Sequence, residues 1–173
     1  MVDAQTVGVL VTAASVTVAA IYYIVNLRET TKNRRATLTN NLIQLFTTKE
    51  FAYTWDAFQR MKWDSFDDFQ KKYDSRVNPE NFALRVSFWN LCDSIGYQYK
   101  TGLIDIGTVY NVAGIWIGDA WFMFGPVIKE YRKTDYPRDM YENFEYLAEV
   151  LGRMRGQRDS DWDKKMEQVV LTH

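Results

Sequence analysis

Residues 7–25 read VGVLVTAASVTVAAIYYIV, a stretch of nineteen residues without a charged side chain. As an α-helix this stretch would extend about 28 Å, close to the roughly 30 Å thickness of the hydrocarbon core of a bilayer. No Lys or Arg precedes it, and the basic residues that follow it are Arg28, Lys32, Arg34 and Arg35. Because basic residues favour the cytoplasmic side of a membrane span, the stretch predicts a single-pass protein of the cell (inner or plasma) membrane. Its N-terminus is expected outside and its C-terminal domain in the cytoplasm.

The rest of the chain has the composition of packed helices. Aromatic residues make up 16% of the 173 residues, with only three prolines and nine glycines. These features predict an all-α fold, with one N-terminal transmembrane helix followed by a compact cytoplasmic helical bundle. The predicted segments are a short extracytoplasmic N-terminus (1–6), the transmembrane helix (7–25), a juxtamembrane stalk helix (26–46), the helical cytoplasmic domain (47–155) and a C-terminal tail (156–173).

Capping residues indicate where the helices of this domain begin and end. Thr47 and Glu50 match the S/T-x-x-E capping box, so a turn is expected at Thr47 with a new helix after it. Further helix starts are predicted at Asp64 or Ser65, at Asn78-Pro79, at Asp105 and at Pro137, and helix ends or breaks at Gly102, Gly125-Pro126 and Gly156.

Residues 106–128 form a second long stretch that is mostly apolar. Apolar residues recur on nearly all of its sides, which is typical of the central helix of a domain. Its length of 23 residues leaves a second membrane span as the alternative. Asp119 near its middle argues against that alternative, because a carboxylate at the centre of a span costs about 2.5–3.5 kcal/mol.

Several short motifs occur in an order that resembles a known family. They are Arg34-Arg35-Ala36-Thr37-Leu38, then Tyr97 with the turn Gly102-Leu103-Ile104-Asp105, then Trp121, Gly125-Pro126-Val127-Ile128 and Arg132. Over most of residues 20–150 this order resembles a family of small prokaryotic membrane proteins known only as a domain of unknown function. The resemblance implies a single-pass protein with an all-helical cytoplasmic domain, and it implies no activity.

The residues that most enzymes need are scarce. The single histidine is His173, and the single cysteine, Cys92, lies on an apolar stripe that is typical of a buried core thiol. With no Glu-x-x-His pair and no phosphate-binding loop, the sequence predicts no catalytic, metal-binding or cofactor-binding residue. The formal net charge of −1 argues against binding to nucleic acid. We therefore predict a protein that is not an enzyme.

Two carboxylates fall on helices that are otherwise apolar or aromatic, at Asp93 and Asp119. A buried carboxylate must be paired, hydrogen-bonded or protonated, so a structural bond is the first interpretation of both. The alternative is a pocket for a small molecule or a lipid head group, lined by Trp89, Asp93, Asp119 and Trp121.

The N-terminal stretch holds the strongest hint of function. Small residues share one helix face, which allows helices in a membrane to approach closely. This predicted association face consists of Gly8, Thr12, Ser15 and Ala19. The four basic residues after the stretch are placed to contact anionic lipids. We predict a membrane-anchored interaction protein, an accessory subunit or adaptor, that docks on the cytoplasmic face of a larger integral membrane complex or self-associates. The alternative is a membrane-tethered sensor that uses the aromatic pocket.

Overall fold

The computed structural model describes residues 4–134 and 136–159, without the side chains of residues 4–7 and 9–11. Six helices occur in this part of the chain, and no strand, so the predicted all-α fold is confirmed there. The helices are α1 (Ala4–Phe46), α2 (Lys49–Gln59), α3 (Phe66–Tyr73), α4 (Pro79–Lys100), α5 (Ile106–Thr134) and α6 (Glu142–Arg158). The chain divides into two compact units after Asn40.

The first unit consists of the N-terminal part of α1. Every side chain from Thr12 to Thr37 is exposed within this chain. Threonine hydroxyls in this part donate hydrogen bonds within the helix itself. Thr12 Oγ1 donates to the carbonyl of Gly8 and Thr17 Oγ1 to that of Ala13, both at 2.9 Å. The part of α1 from Thr12 to Thr37 is therefore a regular helix whose side chains are exposed to water within this chain.

The predicted membrane topology is wrong. Within the part of the chain that the structure describes, no helix combines the length and the apolarity that crossing a membrane needs. Thr12, Ser15 and Thr17 lower the apolarity of the stretch between residues 12 and 25. Neither the single-pass anchor at 7–25 nor a second span at 106–128 is supported, and the side chains of Val7 and residues 9–11 lie outside the described residues.

In the second unit, most helix caps lie where the local sequence predicts them. Ser65 caps α3 and Asn78 caps α4, since each side chain accepts the backbone N–H three residues later, at 3.2 and 3.1 Å. Gly102 has φ +71°, the left-handed conformation expected of it. One cap is shifted by a residue, because Thr48 rather than Thr47 accepts the N–H of Phe51.

The sequence predicts a kink or a restart at Gly125-Pro126, and α5 does not restart there. It runs unbroken from Ile106 to Thr134 with Pro126 inside it. A proline inside a helix costs about 3 kcal/mol, but the residues around it are buried in the core and offset this cost. Gly125 also makes room for the ring of Trp121, which a Cβ at position 125 would approach to 3.0 Å. Tertiary packing therefore overrides the local signal.

α5 is the central helix of the second unit. Its buried stripe, fully inaccessible to water, consists of Val109, Ala113, Ile117, Ala120 and Phe124. Aromatic rings from α2 and α4 pack on this stripe, with Phe58 at 5.3 Å and Trp89 at 5.5 Å from the ring centre of Phe124. The predicted role of residues 106–128 as the core helix is confirmed.

α6 begins at Glu142, five residues after the predicted start at Pro137, and continues past Gly156 to Arg158. Tyr141 before it has φ 59°, a left-handed conformation that is uncommon for a residue with a side chain. α6 crosses α4 at a very short distance. A Cβ on Gly96 would lie 2.1 Å from the carbonyl oxygen of Asn143. Only glycine fits at this crossing.

Gly96→Ala is therefore expected to lower the free energy of unfolding by about 3 kcal/mol, since the added methyl group forces the two backbones apart. Urea unfolding followed by circular dichroism measures this. The matched control is Gly152→Ala on α6, where a Cβ meets nothing within 4 Å, and there a gain of about 0.5–1 kcal/mol is expected. Equal effects of the two substitutions would contradict the close crossing.

Candidate functional site

Most of the large apolar side chains that are exposed in the described chain lie on α1. We call residues 16–27 the apolar segment; its large side chains each expose between 49% and 72% of their surface. They are Val16, Val18, Ile21, Tyr22, Tyr23, Ile24, Val25 and Leu27. Single exposed apolar residues are normal on soluble proteins, but contiguous patches mark interaction sites.

The predicted association face lies just before and within this segment. Thr12, Ser15 and Ala19 are exposed, and a Cβ on Gly8 would meet nothing within 4 Å. The Thr12 hydroxyl already donates to the Gly8 carbonyl, so it is engaged inside its own helix. The face is sterically open to a neighbouring helix, and association through it stays a prediction.

The basic residues after the apolar segment are all exposed. Arg28, Lys32 and Arg35 share one side of α1 with Leu27 and Thr31, where they border a shallow groove. Glu29 is the only acid between residues 12 and 40, so this side of the helix is strongly positive. The predicted contact of Arg28, Lys32, Arg34 and Arg35 with anionic lipids stays a prediction.

Asp93 serves the fold by capping a helix that is distant in sequence. Its Oδ1 accepts the backbone N–H groups of Asn143 and Phe144, both at 3.0 Å, and its Oδ2 accepts from the Asn143 amide at 3.3 Å. These N–H groups belong to the first turn of α6, whose own cap residue Tyr141 provides no side-chain hydrogen bond. A carboxylate at this place is also favoured by the helix dipole.

Asp93→Ala is expected to lower the free energy of unfolding by about 2–3 kcal/mol, because it leaves two N–H groups at the α6 start without an acceptor. Asp93→Asn retains one oxygen and is expected to cost about 1 kcal/mol. Chemical denaturation of both variants tests whether Asp93→Ala lowers the free energy of unfolding more than Asp93→Asn does. A neutral Asp93→Ala would show that α6 does not depend on this cap.

Trp121 belongs to the contact between α5 and α6. Its ring packs edge-to-face on Phe144 at 5.0 Å, with Lys129 and Arg132 over it at 5.7 and 5.9 Å. Both cations also pair with Glu145 of α6, at 2.9 and 2.5 Å. Burial alone would raise the pKa of Glu145, but hydrogen bonds from Arg132 and Lys129 hold it below its usual value. This cluster joins two helices.

Within the described residues, Asp119 does not form the structural bond expected of it. It is half-buried on α5, and its Oδ1 is inaccessible to water and accepts no hydrogen bond from the described part of the chain. Burial raises the pKa of the carboxyl from 3.8 to about 6, although the positive charge of Arg155 opposes the rise. Burial in the fold therefore favours the protonated form of the Asp119 carboxyl group more than the unfolded chain does.

Stability should therefore depend on pH through Asp119. Because the folded chain binds this proton more tightly than the unfolded chain, the stabilising contribution of Asp119 is fully present below about pH 4 and is lost as the pH rises through about 6. Asp119→Asn should flatten this slope and raise the free energy of unfolding at pH 7.5 by about 1–2 kcal/mol, discounted for partial exposure. Denaturation between pH 4 and 8 measures it, with exposed Asp139→Asn as control. An unchanged slope in Asp119→Asn would contradict the assignment.

Arg85, whose burial is not predicted above, is fully buried on α4. Its Nε donates to Asn81 Oδ1 at 2.8 Å and its Nη2 donates to the Tyr73 carbonyl at 2.6 Å. Its guanidinium also lies over the rings of Phe69 and Trp89, at 4.6 and 5.1 Å. A signal existed, because position 85 precedes the buried positions 88, 92 and 95 at helical spacing.

Trp89 lines a small cleft, which we call the aromatic cleft. The residues that line it are Phe82, Val86, Trp89, Ile128, Tyr131, Tyr136, Met140 and Tyr141. Its volume is about 10 Å³, room for one water molecule, whereas pockets for drug-sized ligands measure several hundred Å³. Of the predicted pocket residues only Trp89 lines this cleft; Asp93, Asp119 and Trp121 do not.

Fold and surface together define an all-α protein with an exposed apolar helix segment and a separately packed helical core. The chain belongs to the family described as Domain of unknown function (DUF4760), whose model matches residues 9–153. The expected membership of an uncharacterised family is thereby confirmed. Neither a curated protein nor a solved structure matches the chain.

Proposed function

We propose that this protein is a non-enzymatic adaptor or accessory subunit that docks on a partner protein through the apolar segment of α1. The observation that carries the proposal is the exposure of eight large apolar side chains within residues 16–27 of α1. Leaving such a surface in water is unfavourable by about 25 cal/mol for each Å². A partner that covers it supplies the free energy of association.

The charges next to the apolar segment indicate what kind of partner fits. Arg28, Lys32 and Arg35 continue the helix on one side, with Glu29 as the only nearby acid. In a parallel pair of two copies, these like charges would lie opposite each other and repel. The preferred partner is therefore a different protein with an apolar groove bordered by acidic side chains.

A photo-crosslinking residue at Ile21 tests the docking in the cell of origin. We expect the full-length chain with this substitution to crosslink to one protein of defined mass, because Ile21 lies inside the covered surface. The same residue at exposed Thr37 should give no such product. Absence of a protein crosslink at Ile21, or the same products from both positions, would overturn the proposal.

A second variant links the crosslink to the apolar surface. Ile24→Glu places a charge one turn from Ile21 and should reduce the Ile21 crosslink at least tenfold, by about 1.4 kcal/mol of lost affinity or more. Thr30→Glu adds the same charge outside the apolar segment and should retain the product. If both changes act equally, the contact depends on net charge and not on apolar burial.

A further inference from the structure

α5 has an apolar face that the described part of the chain leaves open. Ile115 is 46% exposed and Phe122 is 39% exposed, and a Cβ on Gly118 between them would meet nothing within 4 Å. With Asp119, these residues recur at helical spacing and share one side of the helix, which we call the α5 face. Burial already raises the pKa of Asp119 to about 6, so this carboxyl group can be covered in its protonated form.

The C-terminal end of α6 lies beside the start of the α5 face. A Cβ on Gly114 would lie 3.5 Å from Leu151 Cδ2, and the guanidinium of Arg158 lies 4.4 Å from the ring centre of Tyr110. Later residues of α6 thus meet earlier residues of α5, so the two helices are antiparallel. The chain therefore leaves α6 at Asp159, next to the end of α5 from which the α5 face begins.

The sequence after this point has the pattern of an amphipathic helix. Residues 160–173, which lie outside the described part of the chain, read SDWDKKMEQVVLTH. On a helix, Trp162, Met166 and Val169 share one side, and Gln168 lies on the other. Nine helical residues, 162–170, extend about 14 Å, whereas the α5 face from Ile115 to Phe122 extends about 10 Å. The segment is long enough to cover the face.

The connection to this segment suits a return along α5. Residues 159–161 form a link of three residues, within the two to five that join antiparallel helices. The last turn of α6 carries Arg155 and Arg158, and the segment starts with Asp161 and Asp163, so opposite charges lie close together at the turn. A tethered segment also acts at an effective concentration in the millimolar range, which a separate molecule does not reach.

We infer that residues 162–170 form a helix that docks on the α5 face, where Trp162, Met166 and Val169 cover Ile115 and Phe122. Docking removes apolar side chains of both partners from water, which is the favourable contribution. The position where the chain leaves α6, the opposite charges at the turn and the length of the segment select this occupant.

Thiol labelling of the full chain tests the docking. Ile115→Cys places a smaller apolar side chain at the centre of the α5 face, whereas Cys92 is fully buried and does not compete for the reagent. We expect slow reaction of Ile115→Cys with a maleimide, and a rate about tenfold higher when Met166→Asp is added, because the charge releases the segment. Gln168→Asp adds the same charge on the opposite side and should leave the rate slow. Equal rates in the two double variants would overturn the inference.

Two further measurements separate docking from other causes of a slow rate. Ser87→Cys is exposed on α4 and should react fast, with and without Met166→Asp. If Ile115→Cys reacts as fast as Ser87→Cys, or if Met166→Asp accelerates both sites equally, docking is refuted. The slow rate at position 115 should be the same at about 1 and 100 µM protein, because the segment is tethered. Protection only at the higher concentration would assign the α5 face to a second copy and overturn the inference.

Discussion

The carboxylate of Asp93 holds together the two helices between which the second unit is organised. It accepts two backbone N–H groups at the start of α6, and one turn further along α4 the missing side chain of Gly96 lets the Asn143 carbonyl come within contact distance. A hydrogen bond and a close steric contact on the same face of α4 specify one register between the helices. Tyr141 can then adopt its left-handed backbone because its neighbours are held on both sides.

Features that depend on nearby residues can be predicted from the sequence, whereas contacts between distant residues cannot. Ser65, Asn78 and Gly102 act within three or four residues of themselves, so their roles follow from local spacing alone. The start of α6 depends on a carboxylate that is 50 positions away, and no local pattern carries that information. Pro126 is the opposite case, a strong local signal for a break that burial of its neighbours outweighs. The candidate site shows the same contrast. The apolar segment can be predicted from the sequence, whereas the burial of Arg85 depends on how α3 and α4 pack.

Charged groups in the core differ in how they are compensated, and this difference separates structure from function. Asp93 has backbone donors, and Glu145 has two cations from α5, so both are satisfied by the chain itself. Among the residues that the structure describes, Asp119, Arg85 and Arg132 each retain a buried polar atom without a hydrogen-bond partner. A carboxyl group can relieve this by taking up a proton, but an arginine cannot lose one at ordinary pH. Asp119 can therefore become neutral inside the fold, whereas both arginines keep their charge.

The geometry of the apolar segment limits what can cover it. At 100° per residue, Val16, Ile24, Ile21 and Tyr22 point in four different directions around the helix, so the exposed apolar surface surrounds α1 and is not a stripe. A single partner helix contacts one side of such a surface and leaves the rest in water. A groove between two or more helices of the partner covers it fully and leaves the basic side at residues 28, 32 and 35 to meet an acidic border. Under the proposed function, such a surface suits insertion between helices of a partner better than pairing with one second copy of α1.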